Sequence, residues 1–302
     1  MSDTLLDEYV FIQNRELTAA LTSEPTTPGH VIVNLASPLF INTAETKHVL
    51  EVIRQIARNL RDVTSSKRCG MAYDGDKLLH VIPLHGLQAS WSAILDSEKE
   101  FHKEFPGYLS TKSGPELNKE ELDDMQKCIT AKSGLSHDDF DTNFHGDLTD
   151  NNLFTRIIRG GLPQWRVWEN SSHVAFLTPF ANTPGFTVLV PRKHTSSDIF
   201  SLDTDEYNAL VEATCSVAML LKRSLNLEMC GMFFEGLEID YTHAKLVPVH
   251  IHTTDCELLK SPLKEDFHEL YRGSISTRLG STSYPAKELY EMTRELRSRF
   301  QV

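Results

Sequence analysis

The chain repeats itself, and the repeat limits the possible folds more tightly than any other feature. Thr27-Pro28-Gly29 returns as Thr183-Pro184-Gly185, each time followed by an apolar run, HVIVNL and FTVLVP. CGMAYDG from Cys69 returns as CGMFFEG from Cys230, and VIPLH from Val81 as LVPVH from Leu246. FHKEFPGYLSTKSG from Phe101 is echoed by FHELYRGSISTRLG from Phe267. The separations climb in chain order, 156, 161, 165 and 166 residues. Tandem duplication with small loop insertions gives such a series, whereas chance likeness would scatter it. At 302 residues the chain suits two cores. The expected lobes are 1–135 and 151–302, with 136–150 a linker rich in Gly, Ser, Asp and Asn.

Both lobes show one order of elements. A Pro-Gly turn leads into a β-branched strand, then an amphipathic helix, then two more strands and a helical tail. In lobe one Val49, Ile53, Ile56, Leu60 and Val63 recur at helical spacing behind Asn42 and Glu45, which stand at capping-box distance. In lobe two Asp203 and Glu206 precede Leu210, Ala213, Val217, Leu220 and Leu221 in the same way. The expected class is α+β, each lobe an antiparallel sheet with a long crossing helix.

Composition narrows the function. A formal net charge of -12 disfavours a nucleic-acid backbone partner, which needs a basic surface, but allows a small phosphorylated ligand. Five scattered cysteines without a C-x-x-C pair argue against a disulfide framework or a zinc ribbon and suit a reducing cytosol. No secretory pattern opens the chain and no apolar run of roughly 18 residues occurs, so the expected setting is the cytoplasm or nucleus, away from membranes.

The chemistry-bearing stretch is residues 241–255, YTHAKLVPVHIHTTD. His250 and His252 stand two apart, so a strand would point both to one face, and Asp255 follows. A metal-dependent hydrolase built on that pair is one reading, although zinc normally recruits a further ligand from elsewhere in the chain. A nucleotidyltransferase-like H-x-H at His250-Ile251-His252 is another. The repeat weighs on both, because His250 has a twin in His85 whereas Leu87 stands opposite His252. A histidine common to both lobes suits a supporting role as well as a direct phosphate contact.

Residues 153–194, LFTRIIRGGLPQWRVWENSSHVAFLTPFANTPGFTVLVPRKH, resemble the opening of the histidine triad (HIT) superfamily. The pattern is a short helix, I-x-x-G-x-x-P (Ile157, Gly160, Pro163), a hairpin, a Pro-Gly turn and a strand ending P-K-x-H in the family and Pro191-Arg192-Lys193-His194 here. It continues to about residue 250, where the family's strand H-φ-H-φ-H-φ-φ is followed by a proline. With Pro248 on that proline, the three triad positions fall on Tyr241, His243 and Lys245. The resemblance implies that His243 attacks the α-phosphorus of a nucleotide to form a nucleotidyl-histidine. Lys245 would supply a permanent charge to the phosphate and Tyr241 would orient the imidazole. Leu153, Phe154 and Ile157 would hold the base, Thr178 would replace the family's ribose-binding acid, and Phe234 and Glu235 fall at its asparagine before the active strand. Glu238 and Asp240 follow, and Arg192, Lys193 and His194 are second-choice phosphate ligands.

Members of the family commonly pair as homodimers, so a tandem copy implies a monomeric pseudo-dimer. Its first lobe is degenerate, because Leu78 falls opposite His243 and His80 opposite Lys245. The expected function is hydrolysis of, or nucleotidyl transfer from, a nucleoside phosphoramidate, dinucleoside polyphosphate or related nucleotide. No cofactor is implied beyond magnesium accompanying the substrate. The alternative is a binding or scaffold protein in which the thinned triad does not turn over.

Overall fold

The computed structural model describes residues 7–88, 90–135, 140–251 and 263–300. Lobe one contributes β1 (Val10–Gln13), β2 (Leu17–Leu21), β3 (Val31–Leu35), α1 (Thr43–Thr64), β4 (Arg68–Tyr73), β5 (Leu78–Leu84) and α2 (Lys119–Ser133). Lobe two follows with α3 (Leu153–Ile158), β6 (Trp165–Glu169), β7 (His173–Leu177), β8 (Thr187–Pro191), α4 (Thr204–Leu225), β9 (Cys230–Phe234), β10 (Ala244–Pro248) and α5 (Ala286–Phe300). The long helices begin where their caps stand. The Asn42 side chain accepts from the Ala44 and Glu45 amides, and Asp203 accepts from Glu206. Ile53, Ile56 and Leu60 of α1 are fully buried, a stripe worth about 1.5–3 kcal/mol per side chain.

All ten strands join one antiparallel sheet in the order β1-β2-β3-β5-β4-β9-β10-β8-β7-β6. The order is symmetric about its centre, where β4 meets β9 and Ala72 pairs with Phe233, its own counterpart in the repeat. The register within each lobe matches too. Pro83 pairs with Cys69 as Pro248 pairs with Cys230, and His80 with Ala72 as Lys245 with Phe233. The molecule is therefore an α+β intramolecular pseudo-dimer. Helices α1 and α4 cover one face of the sheet. The second hydrophobic cluster, with Phe154, Phe233, Tyr241 and Val247, lies on the other face.

The tails are exchanged. Helix α2 packs on α4 and β6 of the other lobe, where Gln126 Nε2 donates to the Arg166 carbonyl and Trp165 Nε1 donates to Asp123, both at 2.9 Å. Helix α5 returns to lobe one, where Arg297 Nε donates to the Val10 carbonyl at 2.7 Å and Phe300 packs on Phe11. The repeated segments before these helices cross in the same manner. His102 N donates to Asn182 O at 2.8 Å, and its twin His268 N to Thr26 O at 2.9 Å. Gly114 and Gly280 pass so close to the Ala181 and Pro25 carbonyls that neither site has room for a Cβ. Each lobe in space is thus one repeat's sheet covered by the other repeat's tail. Residues 140–150 run mostly exposed between the lobes, held by Arg192, which donates to the Asp141 and Asn143 carbonyls. Among the described residues no helix is long and apolar enough to cross a membrane.

Candidate functional site

His243 immediately precedes β10. Its Nδ1 lies 2.8 Å from the Tyr241 carbonyl. A carbonyl only accepts, so Nδ1 carries the proton and Nε2 keeps its lone pair. Burial, joined by the nearby Lys245 charge, pushes the imidazole pKa down to about 4, although the Tyr241 hydrogen bond works the other way. The ring is neutral at pH 7. Phe154 of α3 packs against it edge-on with centroids 5.3 Å apart. Gly236 lies on its Cε1–Nε2 edge, where a Cβ would collide with the ring.

Lys245, two residues on, is buried with its ammonium 3.2 Å from Glu235 and 3.9 Å from Glu238. Burial opposes that charge, but the two carboxylates outweigh it and hold the pKa above the ordinary lysine value. Glu235 also accepts from the Tyr271 hydroxyl, so both its oxygens are committed. Burial and the Glu235 charge raise the Tyr271 pKa well above the usual phenol range, keeping that hydroxyl a donor.

His243 and Lys245 form part of the wall of a cavity of about 640 Å³. Leu153, Phe154 and Ile157 of α3 line it, as do Phe176 of β7, Phe186 of the turn and Val188 of β8. Thr178 and Glu238 stand at its polar edge. Thr111, Lys112 and Leu117, from the exchanged tail of lobe one, close another side. This is an apolar slot with a buried cation and a neutral imidazole on one wall, suited to a flat apolar group attached to an anion.

Several expected positions lie elsewhere. Phe234 faces the helix layer against Phe200 and Tyr207, because strand alternation turns Phe233 toward the cavity face instead. Glu235 sits behind Lys245 and does not line the cavity. The Tyr241 hydroxyl donates to the Pro191 carbonyl at 2.7 Å, while its ring stacks on His194. Tyr241 orients the imidazole through its backbone carbonyl alone. His250 does not reach the cavity: its Nε2 donates to the Pro184 carbonyl at 2.8 Å, as His85 does to Pro28 at 2.9 Å. It braces the Pro-Gly turn in both lobes. His252 and Asp255 lie outside the described residues. Among the described residues no three His, Cys, Asp or Glu side chains group as metal ligands.

The basic strand end is likewise engaged. Arg192 is buried against Glu169, Lys193 pairs with Glu206, and His194 bridges Asp150 and the Asp240 carbonyl. Tyr271, Gly236 and the lobe-one tail join the site without a motif of their own. The repeat held a trace of them, since Tyr271 falls opposite Phe105 and so adds a hydroxyl where its twin has none.

No family model matches the chain. It is 31% identical over 79 residues to an uncharacterized HIT-like protein of Mycoplasma genitalium, a stretch covering 26% of this chain and 55% of that protein. It is thus similar to little more than half of that relative's length. To an uncharacterized HIT-like protein of Saccharolobus solfataricus it is 27% identical over 126 residues, 39% of this chain and 88% of that one. Among solved structures, a uridylyltransferase covers 95% of this chain with 85% of its own at 10% identity and a TM-score of 0.45.

Proposed function

We propose that this chain is a member of the histidine triad superfamily, and that its lobe two binds a nucleotide and transfers its nucleotidyl group through His243. The observation that carries the reading is the pairing of an Nε2 lone pair with a buried ammonium on the wall of one apolar cavity. The base would lie among Leu153, Phe154 and Ile157, and the α-phosphate beside Lys245. Attack by Nε2 gives a nucleotidyl-histidine, which water or another acceptor then resolves. The Lys245 charge faces the equatorial oxygens on which the transition state gathers charge. The substrate class is a nucleoside phosphoramidate, dinucleoside polyphosphate or related nucleotide, with magnesium accompanying the substrate where its phosphate chain requires it.

A binding protein without turnover is the second reading, favoured by one fact. His243 is only 3% exposed, with Gly236 packed on the ring edge that would have to meet phosphorus. The deciding experiment incubates wild type and His243→Ala with adenosine 5′-phosphoramidate and diadenosine polyphosphates, and titrates both with AMP. Turnover that disappears in His243→Ala is the expected result. Equal turnover removes His243 from the mechanism, and AMP binding without turnover in either protein leaves the binding reading. With the imidazole pKa near 4, kcat/KM should stay level as pH falls from 6.5 to about 5, where an ordinary histidine would already be protonating.

A further inference from the structure

We propose that Glu238 is the proton donor to the leaving group when His243 attacks phosphorus, an assignment that rests on the nucleotidyl-transfer reading above. The need for a donor follows from the geometry. His243 holds its only proton on Nδ1 against the Tyr241 carbonyl and so attacks with nothing to give the departing amine or alcohol. Lys245 is kept charged by Glu235, 3.2 Å away, and its value to the reaction is that charge. Glu235 is spent, one oxygen on Lys245 and the other on the Tyr271 hydroxyl.

Glu238 differs in each respect. It lines the same cavity as His243 and Lys245, with its side chain 26% exposed where that of Glu235 is wholly enclosed. Its contact with Lys245 is long, 3.9 Å, and it makes no hydrogen bond among the described residues. It stands two residues after Gly236, whose backbone packs on the attacking ring, so imidazole and acid share one short loop. Burial, working against the pull of Lys245, raises its pKa and favours the protonated form a donor needs.

The step balances. The Nε2 lone pair forms the N–P bond, and the bond from phosphorus to the leaving nitrogen or oxygen breaks with its electron pair. The leaving atom takes the Glu238 proton, and the carboxylate that remains is stabilised by Lys245. In the second half, water attacks phosphorus and gives a proton to Glu238. The P–N bond breaks and neutral imidazole returns with its Nδ1 proton unmoved.

The test uses the full chain and two AMP derivatives, an alkylamine phosphoramidate and the p-nitrophenyl ester. An amine must be protonated to leave, whereas p-nitrophenolate departs as an anion. Glu238→Gln should therefore lose about 100-fold or more on the phosphoramidate and less than about tenfold on the ester. It should also lose the alkaline descent of the phosphoramidate pH profile. An equal loss on both substrates, or none on the phosphoramidate, overturns the proposal. If Glu238→Gln does not fold, the wild type decides over a series of aryl esters. Rates nearly independent of leaving-group basicity fit a proton donor, and a steep dependence excludes one. His243→Ala is run alongside: wild-type rates in that variant, or no turnover by wild type, defeat the underlying reading and not only the role of Glu238.

Discussion

The two lobes place different chemistry on the same strand positions. Lobe two has His243 and Lys245; lobe one has Leu78 and His80. His80 is wholly buried, with Nδ1 2.9 Å from Nε2 of His30, itself held by Thr26. His30 in turn occupies the place of Phe186, a cavity-lining residue of lobe two. Burial pushes His80 down to about 3 and His30 well below its ordinary value, so both rings are neutral. Lobe two instead keeps a full positive charge buried, at the cost of surrounding it with Glu235, Glu238 and Tyr271. A neutral pair tolerates a buried nitrogen that, like His80 Nε2, has no partner among the described residues, whereas a buried cation needs an enclosing set of partners. That second arrangement lies beside the larger cavity. The cavity on the lobe-one side, about 270 Å³ and lined by residues such as Thr26, Glu265 and Arg278, reaches neither Leu78 nor His80.

The sharpest way to break this contrast is to remove the central residue of each cluster. Lys245→Leu strands the Glu235 carboxylate in the interior and should cost about 3–5 kcal/mol in urea unfolding. His80→Leu leaves one neutral nitrogen of His30 unpaired and should cost only about 1–3 kcal/mol. Adding Glu235→Gln to Lys245→Leu should recover much of the loss. Equal costs for the two single variants would mean that the lobes do not differ in charge.

The second effect is on acid stability. His30 and His80 have folded pKa values depressed below 6.5, so as pH falls the unfolded chain takes up protons first. Their contribution is complete above about pH 6.5 and is lost progressively toward the folded value, about 3 for His80. His30→Leu/His80→Leu should flatten the fall in stability between pH 6.5 and 4 by about 1.4 kcal/mol per pH unit for each histidine removed. An unchanged slope would show that the pair is not buried neutral.

The frame of this comparison is legible in the sequence, because repetition and capping are local signals. The registers of Pro83 and Pro248, the caps Asn42 and Asp203, and the opposition of Leu78 to His243 all lie in short stretches of sequence. The tail exchange could not be read in this way. Nothing in LSTKSG or ISTRLG says which sheet it will cover, and chain proximity points to the wrong one. Tyr271 lay out of reach of such signals: its carboxylate partner is 36 residues away, and its amide donates to the His85 carbonyl of the other lobe. Phe234 failed on alternation, since one step along β9 exchanges the cavity face for the helix face. The direction of the Tyr241 hydroxyl depended on a neighbouring strand end.

Tyr271→Phe tests the support behind Lys245, because it restores the residue type of its twin Phe105. Losing a hydrogen bond to a charged, buried acceptor should cost about 1.5–3 kcal/mol. Through Glu235 it should also loosen Lys245, seen as weaker AMP binding in calorimetry. The reverse change in the other tail, Phe105→Tyr, has no Lys245 to serve and should not strengthen nucleotide binding. A gain there would mean that the lobes are closer in function than their strands suggest.

The smallest effect separates the twin glycines. Gly236 has room for no side chain because the His243 ring occupies that space, whereas Gly75 is held at φ +98 beside the Cys230 and Gly231 backbone. Gly236→Ala should displace the imidazole and reduce turnover about tenfold or more, since nucleophile placement is sensitive to shifts of about 1 Å. Gly75→Ala should leave turnover intact and cost roughly 1 kcal/mol of stability, the penalty of forcing an L side chain into a left-handed conformation. One glycine serves a reaction and the other a turn, although CGMFFEG and CGMAYDG are the same motif. If Gly236→Ala loses stability and keeps its turnover, the glycine in lobe two is a turn residue like its twin, and the imidazole it touches is not the group that moves the nucleotide.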